Sequence, residues 1–254
     1  MTAGRPGPAE LWGGADYGRI AERFAPVHEA LLERLEVKPG ERVLDVATGT
    51  GEVALRAAQL GARVTALDIA PALLEQARAK AARESLDVEW VEGNAEALPF
   101  DDGGFDAVCS SFGVIFADAE AASRELGRVC RSGGRLGLTA WQPNAGLHRI
   151  YRKFDRREDP PERWGEPSRL RELLGADFEL QIEERVWTLE GDSPEDVWEL
   201  MTTGAPPVKA FVERLGPDEL ASFRAEMLEF WGGFEEDGRV VEPRGYLLVT
   251  GRRR

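Results

Sequence analysis

Short apolar runs alternate with amphipathic stretches across the first half of the chain. Val27, Leu31, Leu32 and Leu35 recur on one helical face. Lys38-Pro39-Gly40 then breaks the pattern. Arg42-Val43-Leu44-Asp45-Val46 reads as a short buried strand, and Gly49-Thr50-Gly51 turns it into a helix carrying Val53, Ala54, Ala57, Ala58 and Leu60. The unit repeats. A strand from Arg63 to Leu67 ends at Asp68, and a helix opens at Pro71, where the first turn tolerates proline. Further strands are predicted at Val88–Val91, Phe105–Ser110 and Leu136–Trp141, with a helix from Ala119 to Cys130 between the last two. Strands alternating with helices of this length imply right-handed crossovers and a parallel, doubly wound α/β sheet.

After Trp141 the rhythm stops. Residues 142–176 look helical and irregular, and Phe178 to Leu189 alternates like a strand. Residues 194–231 look helical again, and Tyr246 to Thr250 reads as a seventh strand. The expected organisation is one domain over 1–254. It comprises an arm and helix (1–37, its first 16 residues a loose arm), a cofactor-binding core (38–142), a substrate-side insert that includes strand six (143–237), and a last strand with its tail (238–254).

Composition narrows the function classes. The formal net charge of −14 gives a summed field that repels polyanions, so no nucleic-acid partner is expected. Arg252-Arg253-Arg254 is the one dense basic run and reads as a solvated tail. No apolar run approaches the roughly 18 residues of a membrane span, and the first residues lack a secretory pattern. The two cysteines, Cys109 and Cys130, have no spacing motif and suit a reducing compartment. The expected location is cytoplasmic.

In an open parallel sheet, ligands bind beyond the carboxyl ends of the strands. Gly49 and Gly51 let a ligand approach the backbone there, and the amides opening the next helix are expected to be free to donate. With Ala54, the two glycines also fit a dinucleotide pattern, which alone suits NAD as well as S-adenosylmethionine (SAM). Charge separates the two. At about 5 Å and an effective dielectric near 20, a carboxylate such as Asp45 or Glu52 opposes a phosphate by roughly 3 kcal/mol. SAM carries an ammonium and a sulfonium instead. Glu52 could equally point to water and favour the helix dipole. Asp68 can accept from both hydroxyls of a ribose, or cap the helix after it.

Leu44-Asp45-Val46-Ala47-Thr48-Gly49-Thr50-Gly51 resembles motif I of class I SAM-dependent methyltransferases. The run from Gly93 to Asp106 and Ser111-Phe112-Gly113 are similar to the ubiquinone/menaquinone-biosynthesis (methyltransferase type 11) branch, and Arg131 to Leu136 resembles that branch's turn into strand five. The resemblance covers residues 40–142 and implies a Rossmann-like sheet of seven strands, mostly parallel, with an antiparallel last strand and a helical insert. It implies that Gly49, Thr50 and Gly51 face the methionine part of SAM, beside Asp45. By the same resemblance Asp68 holds the ribose, the neighbouring Ile69 also contacts the cofactor, Asn94 and Ala95 border the adenine, and Ser111 lies beside the cofactor. Tyr17 would close over the cofactor's carboxylate. Two positions depart from the family: Ala47 stands where glycine is common, and Asn94 where aspartate is frequent. Residues 143–245 carry no match to the quinone enzymes, so no quinone acceptor is implied.

The expected function is methyl transfer to a small-molecule acceptor by in-line displacement, in which positioning supplies much of the rate. His148, after strand five, is the candidate base; a packing or surface role is its alternative. No metal-ligand spacing is visible. Trp12, Tyr17, Phe24, Tyr151, Phe154, Trp164, Trp198, Phe211 and Trp231 either line an acceptor cleft or fill core. Two other classes stay open: a SAM-binding protein without catalysis, and an NAD(P)-dependent oxidoreductase.

Overall fold

The computed structural model describes residues 7–155 and 164–254. Five strands, β1 (Arg42–Val46), β2 (Arg63–Asp68), β3 (Val88–Glu92), β4 (Phe105–Ser111) and β5 (Cys130–Trp141), run parallel. β6 (Phe178–Gly191) and β8 (Arg239–Arg253) complete a sheet of order β3-β2-β1-β4-β5-β8-β6. β8 is antiparallel to both neighbours, and the two-residue β7 (Glu235–Glu236) folds back on it. The sheet therefore has one strand more than the pattern predicts, because a pair of residues is too short to show a period.

Alternation along β1 divides the interior. Val43 packs with Leu31 and Leu35 of α3 (Ala25–Leu35), Val53 and Ala54 of α4 (Glu52–Gln59), and Ala81 of α5 (Pro71–Glu84). Leu44 and Val46 face the other way, toward Leu126 of α6 (Ala119–Val129) and Leu170 of α8 (Pro167–Leu174). β1 thus carries apolar side chains toward both layers of helices, as a parallel sheet covered on both faces requires.

The insert supplies α7 (Ala145–Phe154), α9 (Pro194–Gly204), α10 (Pro206–Val212) and α11 (Pro217–Gly232). Its centre is aromatic. Tyr151, Phe154, Trp198 and Phe211 surround the fully buried Phe223, with ring centroids 5.0–5.8 Å from it. Phe24 packs against Phe112, Trp141 and Trp187, and Trp164 is buried with α8. Most of the candidate cleft aromatics are thus core.

Three local expectations change. The first 16 residues are not all loose: α1 (Pro8–Gly13) and α2 (Gly18–Ala21) contact α10 and α9 respectively. The anchors are polar, since Lys209 Nζ donates to Gly14 O (2.6 Å) and Asp16 N donates to Thr203 O (3.1 Å). The terminal arginines are not a solvated tail. β8 continues to Arg253, whose guanidinium holds Asp177 and Gly127 O, while Arg254 reaches Gly175 O. Cys130 opens β5 rather than closing α6. Among the described residues, no helix is long and apolar enough to cross a membrane.

Candidate functional site

The carboxyl ends of β1, β2 and β4 meet at one cleft of about 200 Å³. Asp68, Ile69 and Leu73 form one wall, Asn94 and Ala95 another, and Phe112 and Phe116 a third. Tyr17 and Trp12 close it from the arm. Behind Tyr17 and Ala47 lies a small acidic hollow of about 20 Å³, lined by Asp45, Thr48, Glu52, Ser111 and His28. Cleft and hollow share Tyr17 and Ala47.

The glycine bend builds this junction. Gly49 and Gly51 sit at φ +58° and +86°, where side chains are strained. The two do different work. A Cβ on Gly49 would stand 3.1 Å from the Tyr17 ring, so Gly49 faces the cleft. A Cβ on Gly51 would stand 2.8 Å from Trp90 and 3.0 Å from Ala77, so Gly51 serves helix–sheet packing. Thr50 is fully buried and donates its hydroxyl to Glu52. Neither Thr50 nor Gly51 lines the cleft or the hollow.

Three amides of the bend itself are committed, whereas the free donors are expected at the start of α4. Thr48 N donates to Leu67 O, Gly51 N to Thr48 O, and Gly49 N to Asp68 Oδ2 at 2.8 Å. No nest of free N–H groups remains at these three positions to hold a pyrophosphate. Asp68 Oδ1 accepts from Ala70 N (2.9 Å), so each of its oxygens keeps a lone pair toward the cleft. Asp68 does not cap α5, whose N-cap residue is Ala70 with no side-chain cap bond; it braces the turn before the helix. Burial raises its pKa against the opposing amides of Ala70 and Gly49.

Asp45 is more extreme. Burial raises its pKa to about 7, opposed by the Thr48 hydroxyl at 2.5 Å and the Cys109 thiol. A cationic group in the hollow would restore its charge. Glu52 does not point to water: Lys80 pairs with it, so its charge is already balanced. The charge argument against phosphate therefore rests on Asp45 and Asp68. Tyr17 is pushed upward by burial and by Glu52, Asp68 and Asp45, which keeps its hydroxyl neutral.

Other candidates fall as follows. Ile69, Asn94 and Ala95 line the cleft; Asn94 Oδ1 caps Glu96 N at 3.0 Å. Ser111 lines the hollow, its hydroxyl 3.1 Å from that of Thr139. His148 is exposed on α7 and lines neither cavity. His28, passed over in the sequence, is 5% exposed and faces the hollow with Nδ1 unpartnered. Burial lowers its pKa to about 4. Ala47 is in the left-handed region, φ +55°, which explains why glycine is common there. Among the described residues no cluster of His, Cys, Asp or Glu could hold a metal.

A second chamber, about 650 Å³, lies under the insert. Trp141, Leu147, Tyr151, Met201, Met227 and Trp231 give it apolar walls. Trp141 stacks on Phe112 with ring centroids 3.8 Å apart and planes within 1°. Phe112 belongs to the first cleft and Trp141 to the second, so the stacked pair is their common wall.

Residues 43–134 match the family described as "Methyltransferase domain". The matched stretch takes in the glycine bend, Asp68 and Asn94. A demethylmenaquinone methyltransferase of Thermus thermophilus is 44% identical over 128 residues, covering 48% of this chain and 58% of that protein. An uncharacterized protein of Mycobacterium tuberculosis is 46% identical over 148 residues, covering 56% of this chain and 54% of that one. The chain thus spans little more than half the length of the curated relatives it matches. In fold, it superposes on the YcgJ protein of Bacillus subtilis with a TM-score of 0.64 at 19% identity, covering 89% of this chain and 97% of that one. The cyclase SpnF gives 0.58 at 24% identity, covering 90% and 80%.

Proposed function

We propose that this protein is an enzyme that holds SAM across the two joined cavities and methylates a small molecule that reaches the cofactor from the insert side. The observation that carries the reading is the junction itself. A slot with apolar walls and a carboxylate, Asp68, shares Tyr17 and Ala47 with a small hollow that holds a second carboxylate, Asp45. That sequence of environments fits a flat base, a diol and an ammonium in turn. The carboxylates of Asp45 and Asp68 disfavour the pyrophosphate of a dinucleotide.

In this reading Ile69, Leu73, Asn94 and Ala95 border the adenine, and Asp68 accepts from the ribose. Asp45 and His28 face the ammonium, and Tyr17 shuts the methionine end from water. Bound SAM supplies an already activated methyl group, so the chain's task is orientation and exclusion of water. His148 stands away from both cavities, and the proposal gives it no role. The cyclase neighbour shows that the fold by itself does not decide the chemistry.

Titration calorimetry tests the reading with SAM, S-adenosylhomocysteine and NADH. SAM and S-adenosylhomocysteine are expected to bind and NADH not to. NADH binding without SAM binding would sink it. Transfer of labelled methyl from SAM into a metabolite extract separates the enzyme from a SAM-binding protein without catalysis.

A further inference from the structure

Among the described residues, Arg244 is the one charged residue that lines the second chamber, and its surroundings are unusual. Glu242 is fully buried on β8. One of its oxygens, Oε2, accepts from both Trp231 Nε1 (2.9 Å) and Arg244 Nη2 (2.8 Å). The side chain of Arg244 is 15% exposed and lines the chamber. A guanidinium carries five N–H donors. Among the described residues Arg244 gives one nitrogen to Glu242, and its buried Nε has no partner. Glu242 Oε1 is the matching orphan acceptor. A buried donor or acceptor without a partner is costly, and here there is one of each, so a ligand carboxylate can take the Nε donor. The Tyr151 hydroxyl shares this wall; burial raises its pKa to about 12, Arg244 opposing and Glu242 adding.

We propose that the chamber takes a ring-bearing, apolar carboxylic acid as methyl acceptor, its carboxylate held by Arg244 and its reacting group at the opposite end. Trp141, Tyr151 and Trp231 supply flat apolar faces for the ring, and the two methionines adapt to its edge. Guanidinium and carboxylate match as planar partners, which an ammonium or an alcohol does not. The sheet sets the length. Arg244 is on β8, two strands from β4, whose Ser111 faces the cofactor's hollow. Ser111 is level with Thr139 and Thr139 with Leu248, four residues along β8 from Arg244. Two strand spacings, about 10 Å, and four residues of strand, about 13 Å, put the two backbones about 16 Å apart. The arginine side chain and the acceptor together span that length, past the Phe112–Trp141 wall. The carboxylate is the handle and not the group methylated.

This inference rests on the cofactor reading above, and one experiment separates their failures. Calorimetry first records S-adenosylhomocysteine binding, then titrates its complex with 6-hydroxy-2-naphthoic acid, 2-naphthol and 2-naphthylmethylamine. The acid is expected to bind at least tenfold more tightly than either comparison compound. Arg244→Gln should erase that preference and leave S-adenosylhomocysteine affinity unchanged. Because Arg244→Gln strands Glu242, the double variant Glu242→Gln/Arg244→Gln is measured beside it and should also lose the preference. Equal binding of acid and naphthol, preference for the amine, or a preference that survives in the double variant each overturns the carboxylate anchor. Absence of S-adenosylhomocysteine binding in the unaltered protein would instead defeat the cofactor reading.

Discussion

The stretch from Lys38 to Trp141 and the stretch from Gln142 to Gly245 are nearly equal in length and opposite in kind. In the first, each functional group sits at a strand's carboxyl end, and backbone geometry holds it: Gly49, Asp68 and Ala47 are fixed by the bend itself. In the second, helices pack around Phe223 by aromatic contacts that many sequences could make. The family match, residues 43–134, lies wholly within the first. In the proposed function the first stretch holds most of the cofactor's contacts and the second encloses the acceptor.

If so, the core should be intolerant where the insert is forgiving. Gly51→Ala places a Cβ against Trp90 and Ala77 in the left-handed region. Strain of about 1–2 kcal/mol and overpacking of about 1–3 kcal/mol should combine to a loss of about 2–5 kcal/mol, read by denaturant unfolding. A loss below 0.5 kcal/mol would show that the bend is not rigid. The insert's nearest counterpart is Trp231→Phe, which removes a hydrogen bond to a fully buried carboxylate. It should cost about 1–3 kcal/mol of stability. SAM affinity should stay the same, and an affinity change above threefold would mean that the two halves are coupled.

Asp68→Ala sharpens the comparison within the core. It should weaken SAM binding at least tenfold, about 1.4 kcal/mol, in calorimetry. A smaller loss would place the ribose elsewhere.

These differences also explain what could be read in advance. The parallel strands were legible because strands covered on both faces must be apolar runs between turns. Asp68, Asn94 and Ala95 reach the cleft because strand ends are where such sheets bind ligands. Thr50 and Gly51 did not follow, since adjacent residues in a bend point apart and spacing carries no direction. α1 escaped notice because one short turn of Pro8–Gly13 has no period to detect, and its stability comes from tertiary ties such as Lys209 to Gly14 O. His28 could not be picked out from its helix, because its place at the hollow is set by the distant Asp45 and Ser111. The Glu242–Arg244 pair is two residues apart on a strand, a spacing too common to signal anything alone.

The core's charge chemistry should show as pH dependence that the insert lacks. Asp45 has a raised folded pKa, about 7, so the folded state without ligand binds a proton that the unfolded chain releases near 4. This contribution to stability is present at low pH and is lost as pH rises toward 7. His28 acts in the opposite sense: with its folded pKa near 4, its contribution falls as pH drops below about 6.5. For binding, a cation beside Asp45 requires the carboxylate. SAM affinity should rise several-fold from pH 6 to pH 8, and Asp45→Asn should flatten the rise. An affinity that falls over this interval would remove the ammonium from the hollow.

The smallest effect tests the forgiving half directly. Gly232 ends α11 without positive φ, and a methyl group added there would meet nothing within 4 Å. Alanine there loses less backbone entropy on folding than glycine, by about 0.4–1 kcal/mol. Gly232→Ala should therefore raise stability by about that amount and leave SAM affinity alone. The same chemical change thus has opposite signs at Gly51 and Gly232, because one glycine is demanded by a bend and a tryptophan and the other by nothing nearby. Were Gly232→Ala destabilising by more than 1 kcal/mol, α11 would be held by constraints as tight as those of the cofactor loop, and the contrast between the two halves would fail.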